Sequence, residues 1–177
     1  MALIAAAVGV PVVVALLVLV RVLGGGSDGG PAAVASSPSQ ARGNLPVLPV
    51  EVPPVTPEAD ADCPGVMSTL PLDLAGKASR RVRSDSPYAY AWGEPPVVLV
   101  CGVDRPAGFT ATASLIQING VQWYVDTSDP DTVVWTAVDR PVYVRVDVPA
   151  SVDSAPVTLL SGVLAAALPA RAPQPGS

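Results

Sequence analysis

The residues able to do chemistry in this 177-residue chain are few and scattered. Histidine is absent, which removes the Ser-His-Asp and Cys-His arrangements of nucleophilic catalysis and the commonest metal ligand. Two cysteines, Cys63 and Cys101, cannot by themselves complete a structural zinc site, which takes four ligands. They suit either one disulfide, as an oxidising compartment permits, or two buried free thiols. A Cys63–Cys101 bond closes a loop of about 39 residues and contributes about 4 kcal/mol by restricting the unfolded chain. Asp126, Asp129 and Asp131 cluster on a turn, but the spacing and terminal Glu of a calcium loop are missing. Turn-forming aspartates are the simpler reading. Asp139 with Arg140, and Arg145 with Asp147, read as surface ion pairs worth little individually. Gly24-Gly25-Gly26 is not followed by Lys-Ser/Thr, so it is no phosphate loop. An enzyme of unrecognised type would have to bring carboxylates such as Glu94 and Asp139 into one cleft. No catalytic constellation emerges, and no metal or cofactor is expected. The chain reads as a protein that is not an enzyme.

Two groups of residues suit binding instead. Lys77, Arg80, Arg81 and Arg83 lie within one short stretch. The plain reading is a solvated edge strand, whose charges block unwanted pairing. The alternative is a contact with anionic headgroups or wall polymer, at about 1 kcal/mol per cation held at such a surface. Trp92, Trp123 and Trp135 read chiefly as core, with Trp92 or Trp135 lining a groove if the domain binds lipid or glycan. A net charge of −5 argues against a nucleic-acid partner, because phosphate binding needs clustered Lys and Arg.

These residues must be positioned by a small α+β domain over residues 61–169. Val97 to Cys101 is an unbroken apolar run, the pattern of a central strand buried on both faces. It follows the tight turn Trp92-Gly93-Glu94-Pro95-Pro96. Asn119-Gly120 separates two strand-like runs and is the preferred chemistry of a two-residue hairpin turn. In that register Ile118 faces Val121, Ile116 faces Trp123, and Leu115 faces Tyr124, which sorts the two faces correctly. Thr132 to Ala137 returns as a third strand. Val142, Val144, Val146 and Val148 alternate with Tyr143, Arg145 and Asp147, a half-buried strand. Cys63 to Leu70 reads as a short helix with Pro64 in its first turn, stopped ahead of Pro71. Asp153 or Ser154 caps a second helix with Pro156 in its first turn and a stripe from Leu160 to Leu168. The expected fold is thus a mainly antiparallel sheet flanked by one or two helices, and a frayed tail over residues 170–177.

Half of the chain is hydrophobic, yet aromatics make up only 5% and proline numbers 21; such a composition combines a membrane segment, a linker and a modest core. Ala2 to Val20 carries no charge and is long enough as a helix, at about 28 Å, to cross the hydrocarbon core. Residues 1–23 therefore read as a transmembrane helix or signal anchor. The rival reading is a signal peptide cleaved after Ala33-Val34-Ala35. Residues 24–60 hold seven prolines and six glycines without apolar periodicity and read as a disordered linker. The cysteine pair and the polar C-terminal bulk favour a single-pass protein of the cell membrane with its domain outside the cytoplasm.

The run Cys63 … Leu70-Pro71 … Gly76 … Arg80-Arg81 … Ala91-Trp92-Gly93-x-Pro95-Pro96-Val97-Val98-Leu99-x-Cys101-Gly102-Val103 … Pro106 resembles an actinobacterial family of small membrane-anchored proteins of unknown function, domain of unknown function 3515. Val121-Gln122-Trp123, Asp139-Arg140-x-Val142-Tyr143-Val144 and Val148-Pro149 carry the resemblance on, to about Leu168. Val100 stands where many relatives have Arg. The resemblance implies an actinobacterial cell envelope, one membrane helix and an external domain. It supplies no activity and no catalytic residues. The combined expectation is a non-enzymatic envelope protein that binds another protein or a wall component, with a lipid- or glycan-binding module as the alternative.

Overall fold

The computed structural model describes residues 45–176. The expected membrane helix, and the glycine-rich part of the expected linker, lie outside the described residues. No helix among the described residues is long and apolar enough to cross a membrane. In chain order the elements are β1 (Leu48–Pro49), α1 (Pro57–Thr69), β2 (Asp73–Leu74), β3 (Lys77–Arg80), β4 (Val82–Arg83) and β5 (Ala89–Trp92). They continue with β6 (Val97–Val103), β7 (Leu115–Ile118), β8 (Val121–Asp126), β9 (Thr132–Ala137), β10 (Tyr143–Pro149) and α2 (Ala155–Ala167).

Eight strands form one antiparallel sheet in the order β2-β3-β5-β6-β10-β9-β8-β7. Two meanders, β2-β3-β5-β6 and β7-β8-β9-β10, are joined where β10 pairs with β6. The fold is α+β, with a mainly antiparallel sheet and two helices, as the sequence predicts. The hairpin register is also the expected one: Leu115 opposite Tyr124, Ile116 opposite Trp123, and Ile118 opposite Val121. Asn119 and Gly120 both have positive φ, 47° and 78°, as the primed turn of a two-residue hairpin requires.

The core lies between the sheet and the two helices. Val144, Val146 and Val148 point into it from β10, Val97, Leu99 and Cys101 from β6, and Leu160 and Leu164 from α2. Cys63 of α1 is bonded to Cys101, so a disulfide ties the first helix to a central strand. Buried polar atoms are satisfied where helix meets sheet. Trp123 Nε1 donates to Ser161 Oγ at 3.0 Å, and Ser161 donates in turn to the Val157 carbonyl at 2.7 Å.

The helix expected over Cys63–Leu70 starts earlier, at Pro57. Thr56 caps it by accepting from Ala59 N at 3.2 Å, Pro57 takes the first turn, and Glu58 and Asp60 meet its positive end. Pro64, which suggests the first turn, sits inside the helix on its exposed side. The expected disordered linker over residues 24–60 therefore carries structure towards its end. Leu48–Pro49 also pairs in parallel with Val82–Arg83. The frayed tail expected over 170–177 is held as well. Arg171 N donates to the Asp139 carbonyl at 2.8 Å, Gly176 N donates to the Phe109 carbonyl at 2.8 Å, and the Tyr143 hydroxyl donates to the Gln174 carbonyl at 3.2 Å.

Candidate functional site

The second face of the sheet, away from the helices, shapes a cleft with a charge at its floor. Strand alternation sends Arg145 and Asp147 of β10 to that face, together with Thr136 and Val134 of β9 and Tyr124 and Asp126 of β8. Three segments cross over it. The N-terminal stretch 46–53 passes along β4, the β6–β7 connection folds back so that Phe109 stands 6.0 Å from the Tyr124 ring, and the tail reaches Phe109. Between them an open cleft of about 530 Å³ remains, walled by Glu51 to Pro53 on one side and by Asp104, Pro106 and Ala107 on the other. That volume lies within the range of ligand sites.

Among the described residues Arg145 is the only cation lining the cleft, against the carboxylates of Glu51, Asp104 and Asp126. Its Nε lies 3.1 Å from Asp147 Oδ1, yet neither atom completes a hydrogen bond among the described residues. The two groups attract as charges without the aligned donor geometry that makes an Arg–carboxylate pair strong. Burial pushes the Asp147 carboxyl above its ordinary value, and the Arg145 charge pulls it back only in part. Asp126 is lowered instead, because it accepts from Ser128 N at 2.9 Å. A guanidinium with unmade hydrogen bonds, ringed by carboxylates, a phenol and apolar walls, suits a ligand carrying both acceptors and donors. A polypeptide segment is such a ligand.

The cations singled out in the sequence do not form one patch. Arg80 is buried, and its guanidinium donates to Glu94 Oε2 at 2.5 Å, to the Gly93 carbonyl at 3.1 Å and to the Pro46 carbonyl at 2.9 Å. It clamps the N-terminal stretch and the β5–β6 turn to the sheet. Lys77 is half-buried and only Arg81 and Arg83 are exposed. The edge-strand reading of this stretch is corrected too: β3 lies between β2 and β5, and β4 is covered by β1. Charge patterning could not reveal this, because the covering strand comes from a proline-rich stretch with no strand signal of its own.

Trp92 is likewise no surface residue. It is fully buried, donates from Nε1 to the Pro71 carbonyl at 2.8 Å and packs 4.8 Å from the Tyr90 ring. Trp135 is half-buried, meets Trp123 edge-on at 6.4 Å, and lines a hollow of about 160 Å³ with Val133, Val148 and Val152. Asp139 and Arg140, expected as a surface pair, are buried at 3.3 Å from one another, and Arg140 also donates to the Gly120 carbonyl at 2.9 Å. The Asp129 carboxylate accepts from Asp131 N at 2.8 Å, the bond of a turn-forming aspartate. Glu94 and Asp139 do not share a cleft. Glu94 precedes Val97 at one end of β6, whereas Asp139 precedes Tyr143, which pairs with Val103 at the other end, about 20 Å away along the strand.

Arg145 is the residue that sequence reading undervalues. Its signal is the alternation of β10 itself, which places it opposite the valines but carries no sign that this face is covered. Val100 and Ala91 are buried on that same face, which only a covering layer explains.

A family model described as protein of unknown function (DUF3515) matches residues 6–173, and the chain belongs to that family. No curated protein and no solved structure matches it.

Proposed function

We propose that this member of the DUF3515 family is a non-enzymatic, membrane-anchored protein of the cell envelope whose outer domain holds a polypeptide segment of another envelope protein in the Arg145 cleft. The observation that carries the reading is Arg145 itself. Among the described residues it is the only cation in a cleft otherwise lined by carboxylates, two hydroxyls and apolar groups, and its hydrogen-bonding capacity is not used up by Asp147. Such a site is built for recognition through donors and acceptors together. The charge-free run from Ala2 to Val20 supports an anchor, and the Cys63–Cys101 bond supports an oxidising compartment.

The test is in-cell crosslinking of the tagged full chain, followed by purification and mass spectrometry. One envelope protein is expected to come with the wild type and to be lost with Arg145→Glu. Recovery of the chain alone sinks the reading. A second reading rests on Trp135, whose ring lines a hollow of its own as a lipid- or glycan-binding aromatic does. A ligand-dependent shift of tryptophan fluorescence that Trp135→Leu abolishes favours it over the first.

A further inference from the structure

The two ends of the sheet are finished differently. At one end β2 is two residues long, carries Asp73, and is backed by Lys77 across the ladder. Short length and charge are the usual protections of an edge. At the other end β7 reads Leu-Ile-Gln-Ile, without proline or charge, and pairs only with β8 among the described residues. Its outer row of backbone donors and acceptors is a template for another strand.

This edge belongs to a larger uncharged surface. No charged residue occurs from Pro106 to Val125, nor from Ser154 to Ala170. The two runs meet in space. Asn119 Nδ2 donates to the Thr158 carbonyl at 3.0 Å, and Ile116 stands opposite Trp123, whose indole donates to Ser161 of α2. Ile116 therefore shares its face of the sheet with α2. It is 47% exposed, and Leu159 on the outer side of α2 is 51% exposed. Gly162, Ala165 and Ala166 extend that outer side with small side chains. A helix face normally turns charge towards water. This one turns none.

We infer that the β7 edge and the outer face of α2 form a self-association surface, on which a second copy of this chain pairs its own β7 antiparallel about a two-fold axis. The charge distribution selects that occupant. The chain carries a net charge of −5, so two copies repel wherever charged faces meet. A two-fold interface sets each patch against its own image, and a patch with no charge is one that meets its image without repulsion. The geometry also limits the register. A two-fold axis perpendicular to the sheet keeps every residue on its own face, so directly opposed residues must be an even number apart. Either Ile116 faces the partner's Ile116, or Gln117 faces the partner's Gln117. In the second register Ile116 faces the partner's Ile118 and loses its exposure. Both registers place the two α2 helices on one side of a doubled sheet.

Cysteine crosslinking of the full chain in membranes tests this. Cys63 and Cys101 are bonded to each other, so Ile116→Cys or Gln117→Cys introduces the only free thiol. Under mild oxidation one of these variants is expected to run at twice 17.9 kDa on a non-reducing gel, while the exposed turn variant Ser151→Cys stays single. Ile116→Lys sets like charges against each other and is expected to abolish the dimer measured by light scattering in detergent, with the circular dichroism spectrum of the folded chain retained. Single bands from both cysteine variants overturn the proposal, as does a dimer that survives Ile116→Lys. Recovery of the cleft's partner depends on Arg145 and not on Ile116, so the two readings fail separately.

Discussion

Asp147 shows what a charge costs on a half-covered sheet face. Its carboxyl is raised by burial more than the Arg145 charge lowers it. Below the ordinary value of 3.8 the group is neutral whether the chain is folded or not, and it takes nothing from stability. As pH rises through the raised folded value, the folded state must hold a charge that the unfolded state holds more easily, so stability is lost. Asp147→Asn is therefore expected to melt above the wild type at pH 7, with the gap closing as pH falls below that value. Circular dichroism melts across that range decide it, and a gap independent of pH would show the account to be wrong. The Tyr88 phenol, raised chiefly because it donates to Asp60 Oδ1 at 2.7 Å, follows the same direction at alkaline pH. Its bond is present below the ordinary tyrosine value and lost above the folded one. At this scale the sequence names the residues and their partners by type. The shift itself depends on which segment covers Asp147, and no spacing in β10 encodes that.

At the scale of elements, α1 approaches β6 closely. Gly102 has a φ of +84°, and a Cβ built there would stand 2.6 Å from the Ala59 Cβ. Gly120 has a similar φ of +78° with nothing within 4 Å. Both glycines therefore relieve backbone strain, of about 1–2 kcal/mol per residue, but only Gly102 also makes room. Gly102→Ala is expected to cost about 1–3 kcal/mol more than Gly120→Ala through overpacking, read as the difference in urea midpoints. Equal losses would mean that α1 is free to move aside. The hairpin was legible because Asn-Gly states its turn and the alternation on either side states its register. The start of α1 was not, because two prolines compete for the first turn. Thr56 settles it by capping Pro57, with Ala59 and Cys63 then both facing the core.

Across the whole molecule, the disulfide joins the helix that follows the N-terminal segments to the sheet's middle, with a sequence separation of 38. Replacing both cysteines by alanine is expected to lower the stability of the oxidised protein by about 4 kcal/mol, and reductant is expected to do the same to the wild type alone. If reductant leaves the wild type unchanged under denaturing titration, the bond does not form in the protein as made. A domain of this size buries only about two thirds of its unfolded surface, so such an increment is a large share of its margin.

The sequence by itself determined the α+β class, the pairing partners of the hairpin and the buried side of β10, because each rests on local periodicity or turn chemistry; that Cys63 and Cys101 bond rather than stay two thiols was decided by the fold. Tertiary structure alone decided that Arg80 and Trp92 are internal, that Asp139 and Arg140 are a buried pair, and that Arg145 lies at the floor of a cleft. In each case the deciding neighbour is far away along the chain: Pro46 for Arg80, Pro71 for Trp92, Gly120 for Arg140, Glu51 to Pro53 for Arg145. Burial of a polar side chain is a property of what covers it, and the covering segments here are proline-rich stretches and loops that carry no periodicity to announce where they will lie.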